Sequence, residues 1–369
     1  MNKIYDFLII GGGITGTSLA YGISEEASVA IVDAYDHSTR ATLGNYGLTW
    51  LQGKGYKQPL YSKMTERALK DWDTFHDELE EKTGLDLEFH KTGGLHFCMD
   101  DIEFERISNK NDEINATYES EFTKSRMLDY QETKKLFPWL GDSIVGSSYN
   151  PNDGHLNPAK VWMAQLICAK KQGSDYLTNF KVVKIKKQGS SYIVNSKDGR
   201  KIVASQIILT AGLGNKELAK QLGIDIPIKP QKGQILITEK LPKMDIITSL
   251  IIRQTQSGTL LLGHSNEEEG FDTSINQDII KKIANKAIKI MPLLKDVKLI
   301  RSWAALRIVP LDGKSIYDTI DNSLHIVSTH SAITFAPTHV RELSKSILKG
   351  EMPEMLKDFS LNRFKEKNL

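Results

Sequence analysis

Gly11-Gly12-Gly13-Ile14-Thr15-Gly16 stands between an apolar, β-rich run, YDFLII (residues 5–10), and a helix-forming one, TSLAYGIS (residues 17–24). The spacing matches G-x-G-x-x-G, and each glycine has a physical task. Gly11 permits a tight turn, Gly13 lets a phosphate approach the backbone, and Gly16 lets the helix pack close on the strand. A pyrophosphate held there would meet the positive end of the helix, against Ile14 and Thr15. SVAIVDA (residues 28–34) reads as a second buried strand, closing a β-α-β unit at Asp33 and Ala34. A carboxylate at that strand end can hydrogen-bond ribose hydroxyls and repels a 2′-phosphate. The expected ligand is therefore FAD or NAD rather than NADP, and the alternative is a ligand-free β-α-β turn.

Working outward, 369 residues are too many for one small core and predict two domains. A formal net charge of +2, with 48 basic and 46 acidic residues, excludes a broad basic field for nucleic acid. The lysine-rich KVVKIKKQG (residues 181–189) alternates with Val and Ile, as a strand with a solvated face does. Two cysteines, Cys98 and Cys168, build no disulfide framework and lack metal-ligand spacing, so no metal is expected and a cytoplasmic location fits. No apolar run approaches the length of a transmembrane segment.

Leu60, Met64, Ala68, Trp72, Phe75 and Leu79 predict a long amphipathic helix ending at Thr83-Gly84. Polar, irregular sequence with short strands is expected from there to about residue 150. Asn157-Pro158 then caps a further helix. Strands follow in FKVVKI, SYIVNS and KIVASQIILTAG, then in GQILITE, the hairpin SLIIRQTQSGTLLLGHS and LHIVS. Helices are expected at DIIKKIANKAIKIM and from about Pro337 to Lys349.

Four later segments carry a family resemblance. RSWAALRIVPLDGKSI (301–316) resembles the R-x-W-A-G-L-R-P-x-T-P-D-G signature of the D-amino-acid-oxidase-like flavoproteins, in their glycine/sarcosine oxidase branch. THSAITFAP (329–337) is similar to their C-terminal flavin loop, RQTQSGTLLLGHSNE (253–267) to a hairpin of theirs, and PQKGQ (230–234) to P-x-R-G-Q. Within the superfamily, GNYGLTWLQGKG (44–55) resembles G-N-F-G-L-V-W-V-Q-G-K-G of opine oxidase and hydrogen cyanide synthase subunits. D-hydroxyproline dehydrogenase subunits are near relatives. The resemblance implies an α/β (α+β) fold. A Rossmann-like (GR2-type) FAD domain would comprise residues 1–85, 151–225 and 306–369. A largely antiparallel substrate domain would comprise residues 86–150 and 226–305.

It also implies non-covalent FAD and oxidation of the C–N bond of a small amino acid or secondary amine bearing a carboxylate. Hydride would pass from the α-carbon of the neutral amine to flavin N5, and the imine would hydrolyse. Arg307 would bind the substrate carboxylate, since a guanidinium holds a carboxylate bidentately and keeps its charge when desolvated. A structural salt bridge is the competing reading. Tyr46 and Trp50 would shape the apolar wall, and His330 and, less directly, His264 would reach the pocket. Gly44 and Gly47 would let the backbone approach the flavin, with Asn45 adding a polar contact. Val182, Ala211 and Gly212 would lie by the dinucleotide. Ser331, Ala332, Ile333 and Thr334 would offer backbone N–H groups to reduced flavin. Ala332 replaces a usual glycine and would be strained if its φ were positive. Ile308 and Val309 also depart from the pattern. Oxidase and dehydrogenase stay open, the latter passing electrons to a partner subunit; a homo-oligomer is the other assembly allowed. A non-catalytic flavin-binding assembly protein and an NAD-dependent dehydrogenase are the competing classes.

Overall fold

The computed structural model describes residues 3–34, 41–118 and 120–365. The remaining positions of the expected domains, 1–2, 35–40, 119 and 366–369, lie outside the described residues.

The first strand, Ile4–Ile10, runs parallel to Val29–Val32 on one side and Lys201–Leu209 on the other. Its side chains alternate between two cores. Phe7 and Ile9 join the core formed with Trp72, Phe75 and Val161, whereas Leu8 and Ile10 join Tyr192, Val194 and Ile226. Burial on both faces explains the uninterrupted apolar run. Among the described residues the sheet has eight strands, six of them ordered Ile316–Ile320, Leu324–Ser328, Lys201–Leu209, Ile4–Ile10, Val29–Val32 and Asp175–Leu177. The hairpin Val182–Gln188 and Ser191–Ser196 branches from Lys201–Leu209.

The glycine turn packs as its spacing predicts. Gly11 adopts φ +117°, and a Cβ on Gly16 would lie 2.0 Å from the Gly11 carbonyl oxygen. No side chain fits there, which lets the helix Ile14–Ile23 back directly onto the turn. The long helix Pro59–Thr83 ends on Gly84 at φ +71° and buries Met64, Ala68, Trp72, Phe75 and Leu79. Leu60, expected in that stripe, is 41% exposed because it belongs to the first turn, before the helix reaches the core.

The rest is largely antiparallel. Ile228–Lys240 pairs with Leu299–Pro310 along their length, and Thr259–Leu262 and Ile252–Gln254 extend the sheet. Another sheet joins Gly94–Cys98, Gly146–Asn150 and Arg126–Asp129, with Thr248–Ser249 added in parallel. One expectation fails between them. Asp101–Thr117, read as irregular, is a helix capped by Asp100, which accepts from Glu103 N at 2.7 Å. Its buried stripe is only Ile107, Asn111 and Ile114, and the polar residue at its centre hides the helical period. Tyr130–Leu136 is a second short helix in this stretch, opened by an Asp129–Glu132 capping box.

The final helical segment runs Ala336–Thr338, through a π-type turn His339–Leu343, into Ser344–Leu348. Trp72 Nε1 donates to Thr334 O at 3.0 Å, joining the long helix to the loop ahead of this segment.

Gly16→Ala is expected to destabilise the protein by about 1–3 kcal/mol, since the methyl group meets backbone that cannot yield. Denaturant titration would register the lower midpoint; an unchanged midpoint would contradict the packing described.

Candidate functional site

A cavity of about 1030 Å³ runs from the glycine turn to the strand Leu299–Pro310. At one end Gly11, Gly13, Ile14, Thr15, Asp33 and Ala34 form the wall, with Val182, Ala211 and Gly212 beside them. Asp33 Oδ2 accepts from Gly12 N at 2.7 Å, and Trp162 Nε1 donates to Gly12 O at 2.7 Å, so the turn is held from both sides. Ile14 N is taken by Thr42 Oγ1 at 3.0 Å. This helix start is thus tied to the loop that follows the second strand, a contact the motif gives no hint of.

Gly44, Asn45, Tyr46 and Trp50 also line the cavity, as do Ser331, Ala332, Ile333, Thr334 and His330. Asn45 Oδ1 accepts from Gly47 N at 2.7 Å and shapes the turn as well as the wall. Tyr46 donates to Leu261 O at 2.9 Å, and its phenol is pushed far up by burial. Trp50 is buried against Gly94, where a Cβ would come within 2.5 Å of the indole. Ala332 is not among the described non-glycine residues with positive φ, so alanine is unstrained there. The amides of Ala332, Ile333 and Thr334 find no acceptor among the described residues.

Two expected glycines lie outside the cavity wall. Gly16 faces the Gly11 carbonyl. Gly47, at φ +87°, faces Leu156 O and the Pro158 ring. Gly47 is required by packing against the start of the next helix. Arg253, from the hairpin motif, is likewise outside: it is buried, donating from Nη1 to Leu156 O at 3.1 Å, with its guanidinium 5.9 Å from the Tyr46 ring centre.

At the opposite end Arg307 reaches the cavity from Leu299–Pro310, where it is paired opposite Gln231. Its Nη1 donates to Ser265 O at 2.9 Å and Asn266 Oδ1 at 3.0 Å. The guanidinium lies over Gly233, where a Cβ would fall 2.4 Å from Nη2. Its acceptors among the described residues are all neutral, and the nearest influential carboxylate, Glu267, is engaged by Gln234 and Ser265. His264 and His330 complete this end. Burial draws both imidazoles down from 6.5 toward the acid range, and the charge of Arg307 adds to the effect on each.

The sequence reading overlooked Lys54. It lines the same cavity, and its Nζ donates to Thr334 Oγ1 at 3.1 Å. Burial lowers its pKa from 10.5 to about 7, opposed by the charge of Asp153. Asp153 is itself fully buried and raised to about 7 by burial, although it accepts from Leu51 N at 2.5 Å and Gln52 Nε2 at 2.7 Å. Gln52 continues to Ser148, and Ser148 to Asn111. This buried chain fixes residues 51–54 and aims Lys54. The lysine closes the loop as Gly53-Lys54-Gly55, and its isolation amid apolar and glycine residues was the available signal.

The residues present fit an FAD. The cavity volume is at the upper end of the range of about 300–1,000 Å³ for ligand pockets. It joins a glycine cradle, an acid at the second strand end and three open amides. No group of three or more metal-ligating side chains occurs among the described residues, and no described helix is long and apolar enough to cross a membrane.

The family profile "DAO: FAD dependent oxidoreductase" matches residues 6–345. The chain is 32% identical over 362 residues to an opine oxidase subunit of Agrobacterium tumefaciens (strain Ach5), covering 97% of each. It is 26% identical to hydrogen cyanide synthase subunit HcnC of Pseudomonas aeruginosa, over 83% of this chain and 82% of that one. Among solved structures, glycine oxidase from Geobacillus kaustophilus superposes with a TM-score of 0.88 at 19% identity, covering 97% of this chain and 98% of that chain.

Lys54→Met is expected to stabilise the apoprotein most at and below pH 7, where the wild-type lysine is charged in both folded and unfolded states. From about 7 to 10.5 the unfolded chain holds a proton that the folded one has lost, so wild-type stability rises and the gap narrows. Asp153, left without the cation, acts in the same direction. Denaturant titrations of both proteins between about pH 6 and pH 10 measure this, and a constant gap would contradict it.

Proposed function

The chain belongs to the DAO family of FAD-dependent oxidoreductases, and on that premise we propose that it oxidises the C–N bond of a small amino acid or secondary amine bearing a carboxylate. The observation that carries the reading is Arg307, a guanidinium in the cavity whose hydrogen-bond acceptors among the described residues are all neutral. A half-buried cation of this kind needs an anionic partner, and a substrate carboxylate supplies one with bidentate geometry.

In this reading FAD supplies a two-electron acceptor at N5. Arg307, seated on Gly233, fixes the carboxylate, so the α-carbon is presented in one orientation. Tyr46, Trp50 and Ile235 exclude water around it. The α-hydrogen leaves as hydride with both bonding electrons. The nitrogen lone pair then forms the C=N bond, and water adds to the imine to release a carbonyl and an amine. The amine must be neutral to react. The imidazoles of His264 and His330, kept neutral by burial, would offer hydrogen-bond acceptors to the bound amine and add no positive charge beside it. The open amides of Ala332, Ile333 and Thr334 would stabilise negative charge that develops on the acceptor.

The two discontinuous domains outlined above are part of this reading, with the antiparallel sheets closing over the cofactor. FAD is held non-covalently, a view supported by Cys98 and Cys168 both being buried away from the cavity wall. The relatives named as subunits support a partner subunit for this chain; that partner and oxygen are the two electron acceptors the reading allows, and the cytoplasm is the expected location.

Arg307→Ala is expected to retain FAD while kcat/KM for amine substrates falls by about two orders of magnitude or more. Anaerobic bleaching of the flavin by glycine, sarcosine, D-amino acids, hydroxyproline and opines, before and after substitution, measures it. Readmitting oxygen and timing reoxidation separates oxidase from dehydrogenase. Loss of flavin with unchanged turnover per bound flavin would overturn the role of Arg307.

A further inference from the structure

Arg307 makes its hydrogen bonds to described residues through Nη1 alone: to Ser265 O at 2.9 Å, Asn266 Oδ1 at 3.0 Å and Lys232 O at 3.4 Å. Its Nε and Nη2 find no acceptor among the described residues, so one side of the guanidinium is anchored and the other is left for a ligand. The anchoring ledge belongs to residues 265–267. This segment lies antiparallel to the strand Ile228–Lys240, with Glu267 and Lys232 exchanging backbone bonds of 2.9 and 3.0 Å. His264 and Asn266 line the cavity, whereas Ser265 and Glu267 stand behind its wall.

Behind the wall the hydrogen bonds run in one direction only. The side-chain oxygen of Gln234 accepts from Asn276 N at 3.0 Å. Its amide nitrogen must therefore face Glu267, where it donates to Oε1 at 2.9 Å and to Oε2 at 3.0 Å. Ser265 Oγ accepts from Gln234 N at 2.9 Å and gives its own proton to Glu267 Oε1. Both carboxylate oxygens are thus needed as acceptors, and an amide at position 267 would set one N–H against another. Glu267 is 8% exposed and stands 3.6 Å from Nζ of the buried Lys232, which also pairs with Asp272 at 2.9 Å. Its charge reaches Arg307 as well, where it opposes the downward pull of burial on the guanidinium. We propose that Glu267 is a positioning residue of the substrate end: without meeting the substrate, it fixes through Ser265 the carbonyl that holds Arg307 Nη1, so that Nε and Nη2 are presented to the substrate carboxylate. Glu267 supplies negative charge to both Lys232 and Arg307 while leaving the open side of the guanidinium unoccupied. The proposal rests on the carboxylate-binding role of Arg307 argued above.

The test uses holoprotein and two sulfides with no amine to oxidise: (methylthio)acetate and its neutral amide, (methylthio)acetamide. Affinities come from the change in flavin absorbance on anaerobic titration. Glu267→Gln should weaken (methylthio)acetate by about 10-fold, the scale of one misplaced charged hydrogen bond, and (methylthio)acetamide far less. Ser265→Ala removes the hydroxyl link and keeps the carbonyl. It should show the same selectivity, and it decides the matter if Glu267→Gln does not fold. In an Arg307→Met background neither change should weaken (methylthio)acetate further, because the effect runs through the arginine. Equal losses for the acid and the amide overturn the proposal, as do losses that persist without Arg307. The two readings fail separately. If Arg307→Met weakens (methylthio)acetate while Glu267→Gln and Ser265→Ala do not, Arg307 keeps its role and Glu267 loses the one proposed. If Arg307→Met leaves (methylthio)acetate binding unchanged, the carboxylate-binding reading itself falls, and the role of Glu267 with it.

Discussion

The site depends on the near-contact between Gly16 and the Gly11 carbonyl. With no side chain at either position, the helix Ile14–Ile23 closes on the turn, and the turn and the helix start line one cavity. The neighbouring structure reinforces this approach. Thr17 and Ser18 bind Gln165 of the helix Pro158–Lys171 at 3.0 Å each, and Thr210 Oγ1 donates to Gly11 O at 2.8 Å. The second strand contributes Asp33 to the same turn. A separation wider by one methyl group would move the helix, its partner helix and the dinucleotide end together.

The far end is organised differently. There the cavity wall is a pleated surface, and the pairing of Ile228–Lys240 with Leu299–Pro310 decides which side chains face inward. Arg307 and Gly233 belong to neighbouring strands and meet because the glycine leaves room for a planar cation. Lys54, by contrast, is positioned by a polar chain through the interior, from Asp153 to Gln52, Ser148 and Asn111. Such a chain is rigid only when every member is satisfied. The otherwise polar helix Asp101–Thr117 contributes Asn111 to it, which gives this helix a part in holding the site.

Much of the fold was legible where the local signal and the packing agree. The glycine spacing, the strand ending at Asp33, the Thr83-Gly84 stop and the Asn157-Pro158 start all express backbone rules that do not depend on distant partners. Asp101–Thr117 was illegible because its single buried face includes Asn111, whose partners come from elsewhere in the chain. Gly47 was only partly legible for a related reason: glycine there signals that something is close, but the sequence does not say that Leu156 and Pro158 are the neighbours. Lys54 escaped notice because a lysine in a glycine-rich loop ordinarily points to solvent. Only the tertiary arrangement brings it against Thr334.

The bond from Trp72 to the Thr334 carbonyl has a consequence for how damage to this protein would present itself. Trp72 is fully buried in a helix that lies outside the cavity wall, yet it fixes the carbonyl of Thr334, the last of the loop residues 331–334 that line the cavity. Loss of the Trp72 indole would disturb that loop together with the core around it. An inherited or engineered defect there would thus imitate a binding-site mutation while leaving every binding residue intact.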